Sequence, residues 1–204
     1  MSIILKESSN TENKRELVSP GTHIARCYQM INVGTLEYEF KGETTYLNKT
    51  RLTFELPNEI RDFGGEDKPM VISKLYTTSL HEKSNLRKDL EGWRGKQFTS
   101  KELRGFDLAD LLGKECYVSV IHKTGQSGSD YAAINAISAM PKGVECPKQF
   151  NASFMWNYTT HFDQDWVEQQ PEWIQQQIKS TDEYKSKLNE LKYKDIKSDD
   201  DLPF

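Results

Sequence analysis

The segment TYLNKTRLTFEL, residues Thr45–Leu56, decides the fold because its polar and apolar side chains alternate with a period of two. Thr, Tyr and Phe favour strands, and Pro57 follows directly. The earlier segments Thr22–Val33 and Leu36–Phe40 have the same character, and residues 41–43, Lys-Gly-Glu, separate them from Thr45–Leu56. We therefore expect a β-hairpin whose first strand is a bent continuation of Thr22–Val33.

Further along the chain, one more strand, a helix and two last strands are predicted. The third strand is Met70–Leu80, and Ser84-Asn85 can cap a helix whose apolar positions are Leu86, Leu90 and Trp93. A short helical turn at Asp107–Leu112 is followed by strands at Glu115–Lys123 and Tyr131–Met140. Three strands, a helix and two strands are the order of the five-stranded Greek-key barrel called the OB-fold. A small β-sandwich competes, but it usually has about seven strands and no central helix.

The expected organisation is one mainly β domain with appendages. Residues 1–20 form a flexible arm, 21–145 the barrel, 146–197 a polar helical extension and 198–204 an acidic tip. In the extension, Asp165–Lys179 and Asp182–Lys192 read as one or two helices with the apolar stripe Trp166, Trp173, Ile174 and Ile178. Packing on the barrel and ordering only with a partner both remain open for this extension.

Composition excludes several classes of protein. No run of about 18 apolar residues exists, so we expect no membrane span, and the N-terminal sequence MSIILKESSN becomes charged too early for a signal peptide. Three cysteines without a C-x-x-C pair predict free, mostly buried thiols. The four histidines show no metal spacing and there is no P-loop, so we expect no metal, no other cofactor and no enzymatic activity. The net charge is -4, and the excess lies at residues 146–204, with seven Lys against 11 acidic residues.

The strands carry cations and aromatic rings two residues apart, which places each pair on one face. Cations that follow phosphates and rings on which bases stack are what single-stranded nucleic acid requires. The predicted basic-aromatic face comprises Arg26, Tyr28, Lys49, Arg51, Lys74 and Tyr76. The opposite, buried face comprises Leu52, Phe54, Leu56, Val71, Leu75, Cys27 and Ile31. The alternative is that the tyrosines are packing residues and the cations only solubilise an exposed sheet.

Residues at predicted turns and strand ends are weaker candidates for the same role. Phe40 and Tyr46 could stack bases at the first hairpin, and phosphates could pass Lys123 and Lys142. Lys41, Arg61 and Lys68 belong to the same group of loop cations. Trp93 falls on the apolar stripe of the predicted helix, which favours core packing.

The last residues form the sharpest motif in the sequence. Consecutive aspartates cannot sit in a core, and the proline after them blocks a regular helix, so the apolar groups beside the terminal carboxylate are presented to solvent. Such an end suits a basic-rimmed pocket on another protein. The predicted protein-interaction tip is Asp199, Asp200, Asp201, Leu202, Pro203 and Phe204. An ordinary frayed acidic terminus is the alternative.

Two resemblances accompany these motifs. The ending D-D-D-L-P-F resembles the C-terminal tip of bacterial single-stranded DNA-binding proteins, which recruits replication and repair enzymes and competes for the DNA groove. The body, over about residues 21–143, is similar to the OB-fold single-stranded DNA-binding proteins of tailed phages. The similar segments are residues 21–26 (GTHIAR), 54–56 (FEL), 72–77 (ISKLYT), 86–93 (LRKDLEGW), 106–108 (FDL) and 111–114 (LLGK).

The resemblance implies a protein that protects and organises single-stranded DNA in phage replication and recombination, in the cytoplasm of an infected bacterium. Its expected partners are single-stranded DNA and, through the tip, replication or recombination proteins, with a homo-oligomer left open and no membrane contact. One alternative is an adaptor whose barrel binds protein while the tip mimics the host tail. Another is a strand-annealing recombination protein.

Overall fold

The computed structural model describes residues 16–199, which contain six strands, four helices and two hydrophobic cores. The strands are β1 (Gly21–Phe40), β2 (Glu43–Asp62), β3 (Asp67–Thr77), β4 (Glu115–Thr124), β5 (Asp130–Ser138) and β6 (Phe154–Trp156). The helices are α1 (Asn85–Arg94), α2 (Gln164–Glu168), α3 (Glu172–Ser180) and α4 (Asp182–Asp199). None of the helices in this part of the chain combines the length and apolar character that crossing a bilayer needs.

The five long strands form one antiparallel sheet in the order β3-β2-β1-β4-β5, and the short β6 pairs with β1 in parallel. The two outer strands, β3 and β5, also contact each other, so the sheet curls strongly. Helix α1 lies between β3 and β4 in the chain and packs against both β3 and β5. The prediction of a mainly β fold with a helix after the third strand is confirmed.

Strand bounds differ from the predicted ones at the first two hairpins. The two segments predicted before residue 41 form the single strand β1, which contains bulges at Cys27/Gln29 and Asn32/Gly34. Strand β2 continues past Pro57 to Asp62. The strand tolerates Pro57 because the register with β3 shifts between Leu56 and Ile60, so the missing N–H falls in an irregular part of the ladder.

The inner core lies between the concave side of the sheet and α1. The Ser84 hydroxyl caps the helix by accepting from the Leu86 N–H, and Gly95, at a φ of 65°, ends it. The buried side of α1 includes Trp93, whose indole N–H donates to the Glu115 carbonyl at 2.8 Å. Its ring meets Phe54 edge to face, with centroids 5.4 Å apart. Core packing of Trp93 and its helix is thereby confirmed.

The outer core lies on the other side of β1, where the C-terminal extension packs. Its buried members include Ile31, Trp156 and Ile178, together with residues of α2 and α4. Gly34 makes the close approach possible, because a Cβ there would lie 2.9 Å from the Tyr158 hydroxyl and the φ is +95°. Pro171 divides the apolar stripe between α2 and α3. The extension is therefore part of the folded domain.

A buried carboxylate fastens the chain that leads into this extension. Glu55 is fully buried and accepts from the Phe150 N–H at 3.0 Å and the Asn151 N–H at 2.8 Å. The Asn151 side-chain amide donates to the same carboxylate at 2.8 Å. These charge-assisted bonds hold residues 150–151 against the outer face of β2.

The end of the predicted flexible arm is also packed on the sheet. Val18 is buried, and its carbonyl is hydrogen-bonded to the His122 ring at 2.8 Å. Glu16 pairs with Arg61 at 2.6 Å. The prediction of a flexible arm is wrong for residues 16–20, and residues 1–15 lie outside the described part of the chain.

Three residues assigned to the buried face with Leu52 lie elsewhere. Val71 is 44% exposed, and Ile31 and Leu75 pack in or against the outer core. The bulge at Cys27/Gln29 reverses the alternation along β1, which moves Ile31 to the outer face. Leu75 pairs with Arg51 across the β2–β3 ladder and so shares its face. Leu52, Phe54, Leu56 and Cys27 are in the inner core, as predicted.

Candidate nucleic-acid interface

A groove of about 690 Å³ runs between the β1–β2 hairpin and the helices α3 and α4. Its aromatic walls are Tyr38 and Tyr46 from the hairpin and Trp173 from α3. All three rings are exposed, Trp173 to 48%. We call this feature the aromatic groove. Exposed rings on two opposing elements offer flat apolar surfaces to a ligand that stacks.

Two of the groove rings, Tyr38 and Trp173, each make a cation–π contact. The Lys49 Nζ lies 4.5 Å from the centroid of the Tyr38 ring, and the Arg51 Cζ lies 4.5 Å from that of Trp173. A cation over a ring is favourable and covers one face only. The remaining exposure of Trp173 therefore belongs to its other face and its edges, which is the surface on which a base can stack.

The charge of Arg51 has no acidic partner. Arg51 is only 7% exposed, and it donates to the Ser73 hydroxyl at 3.2 Å and to the side-chain Oε1 of Gln177 at 3.0 Å. In the part of the chain whose side chains the structure describes, residues 16–193, its Nε has no partner and no carboxylate lies within 4.0 Å of the guanidinium. Burial lowers the pKa of Arg51, because removal of the guanidinium from water disfavours its charged form. An uncompensated cation below the groove favours an anionic ligand.

Acidic side chains lie at the edge of the same groove. Glu37 and Asp182 line it, and Asp182 pairs with Lys185 at 3.3 Å. Glu183 fixes the wall of the groove by accepting from the Thr35 N–H at 3.0 Å and from the Thr35 hydroxyl at 2.5 Å. The charged residues that line the groove are thus Glu37, Asp182 and Lys185, while Lys49 and Arg51 adjoin it through their contacts with the Tyr38 and Trp173 rings.

Neither a protein-family model nor a curated protein sequence matches this chain. The resemblance described above therefore depends on the quoted residues alone.

By register, Lys74 and Tyr76 lie on the opposite face of the sheet from Lys49 and Arg51, so the six predicted residues do not share one face. Lys49, Lys74 and Tyr76 nevertheless line one cavity at the end of β3. The β2–β3 register pairs Lys74 with Leu52, whose side chain points into the inner core. Tyr76 is 2% exposed and donates to the Asp89 Oδ2 at 2.8 Å. Lys74 donates to the same oxygen at 2.7 Å.

This buried contact removes Tyr76 from the candidate surface. Burial first, then the charge of Asp89 and the hydrogen bond to it, raises the pKa of Tyr76 far above its ordinary value. No base can stack on its ring in this conformation.

Arg26 and Tyr28 do not line the aromatic groove either. Arg26 donates to the Gly113 carbonyl at 2.8 Å and to the Pro147 carbonyl at 3.3 Å, and it pairs with Glu115 at 3.4 Å. Tyr28 is half-buried at the first bulge of β1. Burial, with the charges of Glu55 and Cys27, raises its pKa. The Arg26 guanidinium thus links the turn at Gly113 to the segment after β5 at Pro147.

The weaker candidates divide between the hairpin and distant loops. Phe40 is exposed at the hairpin tip, with the Lys41 Nζ 5.4 Å from its ring, and Tyr46 lines the aromatic groove itself. Lys123 and Lys142 are exposed but do not line this groove. Arg61 pairs with Glu16 and Glu59, and Lys68 pairs with Glu66.

Sequence reasoning missed Tyr38 and did not assign Trp173 to the site. Tyr38 belongs to the alternating set Leu36, Tyr38 and Phe40 on one face of the hairpin. No predicted element packs against that face, and this was the signal that could have assigned Tyr38 to the site. Trp173 adjoins Ile174 on α3, but Ile174 is buried whereas Trp173 is half exposed. No local signal separates the two residues, because the difference arises from how α3 docks on β1.

No group of three His, Cys, Asp or Glu side chains within residues 16–199 converges to hold a metal ion. Cys27 and Cys116 are buried, Cys146 is partly buried, and all three thiols are free, as predicted. Of the predicted tip, Asp199 is the last residue of α4, while Asp200, Asp201, Leu202, Pro203 and Phe204 lie outside the described residues.

Proposed function

We propose that this protein binds single-stranded DNA without strong sequence preference and holds unpaired bases in the aromatic groove. The observation that carries the proposal is the pair of rings Tyr38 and Trp173, each with a cation on one face and each exposed elsewhere. Stacking of a base on an aromatic side chain contributes about 1–3 kcal/mol and tolerates every base, since each base has a π face. The cations add attraction for the phosphates.

The topology supports the same proposal. The order β3-β2-β1-β4-β5, a helix after the third strand, and contact between β3 and β5 agree with a five-stranded Greek-key barrel of the OB type. OB-folds bind oligonucleotides on the face of their second and third strands and on neighbouring loops. Lys49 and Arg51 lie on β2, and the aromatic groove adjoins them.

The biological role that we propose follows from the resemblance to phage single-stranded DNA-binding proteins. The chain would protect and organise single-stranded DNA during phage replication and recombination in the bacterial cytoplasm, and the tip 199–204 would recruit partner proteins. This role is organisational and needs no catalysis.

Binding of an oligo(dT) strand to the full chain tests the proposal. Trp173 is exposed in the groove, so saturating DNA should quench tryptophan fluorescence, and affinity should fall steeply as salt rises because counterions are released from the DNA. The double-stranded oligonucleotide of equal length is the control and should bind more weakly. A chain that ignores oligo(dT) even at low salt would refute the proposal, and tail-dependent capture of proteins without DNA binding would instead favour the adaptor.

A further inference from the structure

A second cavity of about 400 Å³ lies between the end of β3 and the start of α1. We call it the basic cleft, because every charged side chain that lines it is a lysine: Lys49, Lys74 and Lys83. The rest of the lining is formed by His81, by Leu75 and the largely buried Tyr76, and by small polar residues, Thr77, Ser79, Ser84 and Asn85. A concave surface with charges of one sign concentrates the field and attracts counter-ions.

Two of the three lysines have no acidic partner. Lys74 is paired with the buried Asp89, which fixes its position. Among the side chains of residues 16–193, no carboxylate lies within 4.0 Å of the Nζ of Lys49 or Lys83. The Thr77 hydroxyl accepts from the Lys49 Nζ at 2.9 Å and orients it. The cleft therefore has an excess of positive charge and polar groups, but no exposed aromatic ring of the kind that lines the groove.

The basic cleft and the aromatic groove meet at Lys49. This side chain lies over Tyr38, which lines the groove, and it donates to Thr77, which lines the cleft. A strand whose bases stack in the groove can thus continue past Lys49 without leaving the protein surface.

We propose that the basic cleft is a second subsite, which binds the sugar-phosphate backbone of the nucleotides that flank those stacked in the aromatic groove. The strand would cross β2 at Lys49. This inference rests on the proposed function and adds to it the path of the DNA. On one side of Lys49 the aromatic rings bind bases, and on the other side the lysines bind phosphates.

The test compares Lys83→Ala with Lys88→Ala in the full-length protein. Lys83 is exposed in the cleft, and Lys88 is an exposed lysine of α1 that lines neither cavity, so both variants should fold. Binding is measured by fluorescence anisotropy against salt, with oligo(dT) of about 5 and about 15 nucleotides, the range that one such domain covers. The probe is labelled oligo(dT) in every arm.

For the longer strand, we expect Lys83→Ala to reduce the slope of log affinity against log salt by about 0.7, the value for one phosphate contact on a single strand. Lys88→Ala should leave the slope unchanged, and neither variant should alter the slope for the short strand. Equal slopes for wild type and Lys83→Ala on the longer strand, with binding intact, would overturn the subsite and leave the proposed function standing. Failure of the wild type to bind either strand would refute the proposed function and the subsite together.

Discussion

The guanidinium of Arg51 on β2 lies under the indole of Trp173 on α3, with Cζ 4.5 Å from the ring centroid. The Gln177 side chain, one turn further along α3, accepts a hydrogen bond from the same guanidinium at 3.0 Å. This contact makes the C-terminal extension a wall of the candidate site. It also places a buried cation directly behind the ring that is most suited to stack a base.

Trp173→Ala should weaken binding of single-stranded DNA by about 1–3 kcal/mol, roughly 5- to 150-fold, because one stacking surface is lost. The measurement is fluorescence anisotropy of labelled oligo(dT). Tyr131→Ala is the matched control, since Tyr131 is 47% exposed, against 48% for Trp173, and lines neither cavity. Equal losses in the two variants would show that the aromatic groove has no special role.

Arg51→Met should weaken DNA binding while leaving the free energy of unfolding within about 1 kcal/mol of the wild type or higher. Methionine fills a similar volume under Trp173, and the substitution relieves the cost of a buried charge without an acidic partner. Urea denaturation measures the stability, and a salt titration of oligo(dT) binding measures the affinity.

Lys49→Met is the companion variant to Arg51→Met. Lys49 is less buried than Arg51, so Lys49→Met should change the free energy of unfolding by no more than about 0.5 kcal/mol. The affinity for DNA should again fall. A loss of several kcal/mol of stability in Arg51→Met with unchanged affinity would instead assign the guanidinium a purely structural role.

Tyr76→Phe should lower the free energy of unfolding by about 1–3 kcal/mol, because the buried Asp89 loses one of its donors. DNA affinity of the folded protein should not change, because the ring is inaccessible. Tyr131→Phe, at an exposed position, should change stability by less than about 0.5 kcal/mol. Should Tyr76→Phe reduce DNA affinity and spare stability, Tyr76 would belong to the binding surface after all.

Glu183 should make the attachment of α4 depend on pH. Burial raises the pKa of its carboxyl, but hydrogen bonds from Thr35, with help from Asn48, outweigh burial and leave the pKa below its ordinary value. A depressed pKa means that the stabilisation is present above the pKa of the unfolded chain, about 4.3, and is lost as the pH falls through the folded value. Glu183→Gln should therefore be less stable than the wild type at pH 7 by about 1 kcal/mol.

The difference between Glu183→Gln and the wild type should shrink at about pH 3, where the wild-type carboxyl is protonated. Urea denaturation at the two pH values measures it. Asp182→Asn, an exposed neighbour in the same turn, should show almost no effect at either pH. Identical behaviour of the two variants would mean that the Glu183–Thr35 contact does not hold α4.

Removal of residues 199–204 should leave DNA affinity equal or higher, because an anionic segment that can compete with DNA is lost. Phe204→Ala in the full chain is the companion variant. It keeps the aspartates, so its DNA affinity should equal that of the wild type, while both variants should fail to retain replication or recombination proteins that the wild type captures. A marked fall in DNA affinity on truncation would contradict the role assigned to the tip.

Local patterns predicted the elements of the fold well. The alternation in Thr45–Leu56 and the Ser84 cap gave a strand and a helix start close to the observed ones, because period and capping depend on near neighbours. The extension of β2 past Pro57 and the short strand β6 were not predicted. The extension depends on pairing of residues 60–62 with residues 67–69 of the next strand, and β6 depends on pairing with the distant β1, so neither follows from alternation within its own segment.

The candidate site was predicted only in part. Lys49, Arg51 and Tyr46 do adjoin one groove, but Lys74 and Tyr76 lie across the sheet, and Arg26 binds backbone carbonyls instead. The assignment of residues to faces failed because it assumed strict alternation within each strand, and because the sequence does not give the register between strands.

The sequence by itself determined which segments are strands, where α1 begins and that the cysteines remain free, since these follow from side-chain periodicity, capping and composition over a few residues. Only the tertiary structure decided which lysines and rings share a surface. The bulge at Cys27/Gln29 reverses the alternation along β1, and the pairing of Leu75 with Arg51 sets which neighbouring side chains of β2 and β3 share a face. The docking of α3 then brought Trp173 over Arg51, because burial of Ile174 and Ile178 fixes the orientation of that helix.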